Sequence, residues 1–95
     1  MTVKFKIGRL VITRGVNDRV AEDTKFAKFV IDSLRRHIRG DWGDMTPEDK
    51  AENEIALKEG NLRLFSAYES PSLPKIWIIS EGNHSITTVL FPDEY

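Results

Sequence analysis

The run Arg36-His37-Ile38-Arg39-Gly40-Asp41-Trp42-Gly43-Asp44 gathers most of the groups in this chain that can do chemistry. An imidazole can act as a base or ligand, two carboxylates can orient it, and an indole offers a stacking surface. His37, Asp41, Trp42 and Asp44, with Glu81 brought near by the fold, form the candidate binding cluster. Arg35, Arg36 and Arg39 are candidate basic contacts. The same run also reads as a tight connection between helices. Asp41 or Asp44 would then satisfy free backbone N–H groups, Gly40 and Gly43 would take positive φ, and Trp42 would plug the edge of the core. Two carboxylates and one histidine match no specific metal-ligand spacing, so no metal is expected.

Glu81 and His84 form a second pair, opposed across a turn, where the carboxylate would raise the imidazole pKa. At an exposed hairpin tip such a pair contributes only a few tenths of a kcal/mol. Ser66, Tyr68, Ser80, Ser85, Thr87 and Thr88 offer hydroxyls without a Gly-x-Ser-x-Gly elbow. No P-loop, dinucleotide glycine motif or zinc-finger spacing occurs, and no cofactor is expected. Arg39-Gly40-Asp41 spells an adhesion tripeptide and Asn83-His84-Ser85 a glycosylation pattern; with no signal-type apolar stretch near Met1, both are read as coincidence.

These residues need elements to hold them. Residues 4–13 read as a strand whose apolar phase switches at Gly8, from Phe5 and Ile7 to Leu10 and Ile12, as at a bulge or bend. Asn17 or Asp18 can cap a short helical turn. A longer helix is expected over 24–38, with Phe26, Ala27, Val30, Ile31, Leu34 and Ile38 at helical spacing. Thr46, Pro47 and Asp49 announce another helix, running to Glu59 and stopping at Gly60. Its apolar face, Ala51, Ile55 and Ala56 with Leu57 beside it, is thin enough for a surface position. Strands follow over 62–68, 75–80 and 85–91, the last two joined by a Gly82-Asn83 turn. That register sets Ile79 opposite Ile86 and Trp77 opposite Thr88. The expected fold is α+β, in the order β-α-α-β-β-β, with helices packed on an antiparallel C-terminal meander as a single domain over 1–95. Trp77, Ile79, Ile86 and Leu90 fall on one side of the final hairpin, and Ile76, Ile78, Val89 and Phe91 on the other. Helices can cover one side only. The N-terminal strand or a second copy must cover the other, which makes a homodimer or a protein partner the expectation.

The chain has 95 residues, 40% of them hydrophobic, and no cysteine. That excludes disulfides, thiolate metal sites and cysteine nucleophiles, and fits a cytoplasmic protein without a membrane span. Residues 1–40 carry ten Lys/Arg against four Asp/Glu (net +6), and residues 41–95 carry four against eleven (net −7). Such halves can attract each other within one fold, or offer a basic face to nucleic acid.

His37-x-x-Gly-Asp-Trp-Gly-Asp44, followed by Glu48-Asp49, Asn53 and Gly60, resembles a family of small proteins carried on plasmids and integrative elements. Arg63, Ser66-Ala67-Tyr68, Trp77-Ile78-Ile79, Glu81, Ser85, Thr87-Thr88, Leu90 and Pro92-Asp-Glu-Tyr95 extend the resemblance over 35–95. Relatives read Glu-Ala-Asp-Arg-Ser at the hairpin, where this chain has Glu81-Gly-Asn-His-Ser85, so Asn83 and His84 depart from the pattern. The resemblance implies a mobile-element setting and supplies no mechanism. The expected function is therefore that of a non-enzymatic accessory protein acting through protein binding or self-association. The alternatives are a ribonuclease toxin of RelE/ParE-like topology, or a small DNA-binding module using Lys4, Lys6, Arg9, Arg35, Arg36 and Arg39.

Overall fold

The computed structural model describes residues 4–95. The order is β1 (Arg9–Ile12), α1 (Arg14–Glu22), α2 (Thr24–Ile38), α3 (Pro47–Glu59), β2 (Leu64–Ser70), β3 (Leu73–Ser80), β4 (Ile86–Leu90) and a 3-10 turn (Pro92–Glu94). The α+β class and the C-terminal meander stand as expected. β2, β3 and β4 pair antiparallel, while β1 runs parallel to β4, so the sheet order is β1-β4-β3-β2. No helix among the described residues is long and apolar enough to cross a membrane.

Strand alternation divides the sheet into two faces. Tyr68, Ile76, Ile78 and Val89 point to the front and pack with Val16, Phe26 and Val30 from α1 and α2. A second core at the β2 side joins Leu64 to Phe5, Trp42 and Ala56. Phe5 belongs to it because the chain bends at Gly8, where φ is +64. A Cβ there would collide with the Ser85 and His84 carbonyls, so the bend is reserved for glycine. Only Arg9–Ile12 of the expected first strand is therefore strand.

Three local expectations change. The short turn after Thr13 is a full helix, and its cap is not Asn17 or Asp18. Thr13 stands at the N-cap, and the Glu94 carboxylate from the far end of the chain accepts from the Thr13 hydroxyl (2.6 Å) and the Gly15 N–H (3.0 Å). No local pattern could reveal a cap supplied through tertiary structure. The Thr13 hydroxyl, followed by the Phe91 N–H, holds the Glu94 carboxyl below its ordinary pKa.

The loop containing Pro71 and Pro74 is a tight turn, because Ser70 pairs with Leu73 and Ser72 takes φ 70. Pro71 precedes that residue as in a type II turn, and Pro74 enters β3 where the ladder shifts between Tyr68 and Ser70. The final hairpin closes through Gly82–Ser85 rather than a Gly-Asn pair. Ser80 pairs with Thr87, Ile79 with Thr88 and Trp77 with Leu90. Asn83 Oδ1 accepts from the Ser85 N–H (3.1 Å) and hydroxyl (2.7 Å), while His84 adopts φ 56. The register therefore slides by two residues, which leaves every side chain on its expected face.

The back face carries Phe65, Ala67, Trp77, Ile79, Thr88, Leu90, Ile86 and Val11. Helices reach the sheet from the front, and the N-terminal strand lengthens the sheet instead of covering its back. Ile79 and Leu90 are buried, Phe65 and Trp77 half-buried, and Ile86 and Val11 exposed. The chain's last residue crosses part of this surface: Tyr95 meets Trp77 edge-on at 5.8 Å, and Arg63 lies 5.6 Å from the Tyr95 ring.

Candidate functional site

α2 buries Phe26, Val30, Ser33 and His37, at positions i, i+4, i+7 and i+11. One inward stripe thus runs from hydrocarbon to polar groups, and His37 closes it. Asp23 caps the helix start by accepting from the Lys25 and Phe26 N–H groups, while Arg35, Arg36 and His37 occupy its last turn. Ile31, expected on the apolar stripe, is 50% exposed.

His37 is fully buried. Its Nδ1 lies 2.6 Å from the Ser66 hydroxyl and its Nε2 3.0 Å from the Ser80 hydroxyl. Ser80 Oγ is 2.7 Å from Thr87 Oγ1, and the Thr87 hydroxyl donates to the Ile7 carbonyl at 2.7 Å. Each hydroxyl has one proton, so the direction of the whole row follows. Thr87 gives its proton to Ile7, Ser80 must donate to Thr87, and Ser80 can only accept from His37. The imidazole therefore carries its proton on Nε2 and accepts from Ser66 at Nδ1. Burial, followed by the nearby charge of His84, lowers the His37 pKa from 6.5 to about 3. A neutral ring with both nitrogens engaged is a structural tie between α2 and three strands, with no free nitrogen for a substrate.

Aromatic rings close around this tie. Phe5 stands 5.3 Å from the His37 ring and 5.2 Å from that of His84, and Trp42 lies 5.7 Å from His37. The hairpin tip and the interhelical run do converge, through His84 and Phe5. Glu81 is not part of that convergence: its side chain is exposed, and its carbonyl accepts from the His84 N–H at 2.8 Å. Among the described residues no ion pair joins Glu81 to His84, because the four-residue loop turns the His84 ring inward.

The other members of the cluster cover the outer edge of β2. Gly43 forms a parallel bridge with Ala67, the Asp44 N–H donates to the Ala67 carbonyl (2.7 Å), and the Ala67 N–H donates to the Trp42 carbonyl (3.3 Å). Asp44 then accepts from the Glu69 N–H at 2.9 Å. Asn53 of α3 completes the row, donating to the Phe65 carbonyl (2.5 Å) and accepting from the Phe65 N–H (3.1 Å). Edge strands expose unpaired backbone groups, and here side chains and a short run of backbone satisfy them. Gly43 has φ +75, and a Cβ would strike the Ala67 carbonyl and the Tyr68 ring. Trp42 is buried and donates to Glu54 at 2.7 Å.

Asp41 pairs with Arg36 through two contacts of 2.8 and 3.2 Å, and also accepts from the Gly43 N–H. The Arg36 hydrogen bond holds the Asp41 carboxyl below the usual carboxylate range. The Tyr68 hydroxyl donates to the Asp41 carbonyl at 2.6 Å, and burial pushes its pKa far above 10. Arg36 also sits 4.9 Å from the Tyr68 ring. Arg35 lies near Asp32 (3.7 Å), and Arg39 donates through Nε to the Arg35 carbonyl. A cleft of about 340 Å³ opens elsewhere, between Met45, Asp49, Glu52 and Asn53 on one side and Arg63 and Phe65 on the other.

Of the two readings of His37, Asp41, Trp42 and Asp44, the tight interhelical connection is the one this geometry matches. Gly40 and Gly43 take positive φ, Asp41 and Asp44 accept from backbone N–H groups, and Trp42 is buried. Sequence reasoning missed the partners Ser66, Ser80, Thr87 and Asn53. The available signal was parity: Ser66 alternates with Leu64 and Tyr68, and Ser80 with Ile76 and Ile78, all on the core side. No family model matches this chain, no curated protein is significantly similar to it, and no solved structure matches it.

Proposed function

We propose that this chain is a non-enzymatic binding protein that works through self-association or a protein partner, as an accessory of a mobile element. One observation carries the binding reading: helices cover only the front of the sheet. Phe65, Trp77 and Ile86 on the back continue to Val11 at an open strand edge. Apolar groups arranged contiguously beside unpaired backbone are a common basis for protein association. The mobile-element setting rests on the Gly-Asp-Trp-Gly-Asp resemblance alone.

The groups that suggested chemistry also favour this reading. His37 is neutral and bonded at both nitrogens, and Asp41, Trp42 and Asp44 hold the β2 edge. A ribonuclease would draw on a titratable base in this cluster, and the buried His37 is held neutral. Of the cations named for a DNA-binding face, Arg35 and Arg36 are paired with Asp32 and Asp41.

The test is tagged recovery of partners from the native host, comparing the wild type with Trp77→Ala, alongside sedimentation at high concentration. Retention of a defined protein, or reversible oligomers, lost in the variant is the expected result. A monodisperse monomer that retains no host protein would sink the reading.

A further inference from the structure

The two edges of the sheet are treated differently. β2 is covered by Gly43, Asp44 and Asn53, whereas all four residues of β1 are exposed. Arg9-Leu10-Val11-Ile12 is short and opens with a charge, but it holds no proline and its next three residues are apolar, so little keeps this edge from pairing. Parallel pairing with β4 uses the Arg9 N–H on Ser85 and the Thr13 N–H on Val89. The bonded residues are thus the odd ones, and Leu10 and Ile12 turn their backbone N–H and C=O groups outward.

We propose that two copies of this chain pair antiparallel through β1, about a two-fold axis at Val11, to form one eight-stranded sheet. The register follows from the free backbone groups. An antiparallel pair needs outward residues opposite each other, and Leu10 opposite the second copy's Ile12 gives two hydrogen bonds that the axis repeats, making four. Val11 then faces its own copy at a site without hydrogen bonds, extending the apolar back face across the axis. Leu10 and Ile12, 40% and 37% exposed, meet on the front. Charge agrees with this register. Arg9, which has no carboxylate partner among the described residues, stands opposite Thr13 of the second copy, whose hydroxyl holds the Glu94 carboxylate. Each end of the shared ladder therefore brings a guanidinium to an ionised carboxylate.

The inference rests on the self-association branch of the binding reading. Its test uses the lack of native cysteine. Val11→Cys places two thiols at a site where Cα atoms stand ~4.5–5.5 Å apart, within disulfide reach. With oxidised glutathione it should crosslink at least about tenfold faster than Ile31→Cys on the exposed face of α2, because pairing raises the effective concentration. Val11→Glu and Val11→Lys should each sediment as folded monomers, and an equimolar mixture should recover dimer. Fold-damaging variants could not produce that recovery. Equal crosslinking of the two cysteine variants, or a dimer that survives Val11→Glu, would overturn the edge pairing while leaving binding intact. A wild-type monomer at all concentrations would also overturn it, whereas the binding reading falls only if partner recovery is empty as well.

Discussion

A neutral imidazole bonded to two hydroxyls cannot gain a proton without reversing one of those bonds. Protonation of His37 would give Nδ1 a hydrogen, and Ser66 would have to reverse its own. The folded pKa of about 3 lies below the unfolded value of 6.5, so the unfolded chain binds the extra proton between these limits. Stability is therefore full above pH 6.5 and falls as the pH drops towards 3, with a limiting slope of about 1.4 kcal/mol per pH unit. Urea unfolding of the wild type between pH 7 and 4.5 should show this slope. His37→Phe should be less stable at pH 7 by about 2–3 kcal/mol, since the hydroxyls lose their partner, yet flatter over the same range. A wild-type curve without the slope would mean that the ring is not held neutral.

At the scale of elements, the interhelical run works as a clasp on β2. Gly43→Ala places a methyl against the Ala67 carbonyl at positive φ and should cost about 3 kcal/mol or more in denaturant unfolding. Asn53→Ala removes both Phe65 bonds and should cost about 2 kcal/mol, with faster amide exchange at Phe65 as a second readout. Much of the framework was legible in the sequence. α2 and α3 fall where the apolar spacing and the Thr46-Pro47 start place them, because those signals are local. The cap that Glu94 gives α1 was not legible, nor was the four-residue loop at Gly82–Ser85, where an asparagine side chain displaced the two-residue turn. For the site, residue types and two competing roles were visible, while the partners that decide between those roles were not. A histidine followed by a Gly-Asp-Trp-Gly-Asp run suggests reactive groups. Only the positions of Ser66, Ser80 and the β2 edge reveal that those groups are already bonded.

At the scale of the molecule, the sheet is finished on one side and open on the other. If β1 pairs with a second copy, unfolding becomes concentration-dependent, and Tm should rise by about 2–5 °C for each tenfold increase in protein. Val11→Glu should abolish that dependence while leaving far-UV circular dichroism unchanged. A Tm independent of concentration in both proteins would argue that the edge remains single.

The strand order β1-β4-β3-β2 also has a consequence for synthesis. The first strand made finds its neighbour only in the last, and the Thr87–Ile7 hydrogen bond joins residues 80 positions apart. While the chain emerges, Leu10, Val11 and Ile12 wait with no strand to sit against, whereas α2 can form at once. Contacts this distant slow the search for the native state. During that interval, nascent copies made side by side on one message would present the same apolar edge to each other.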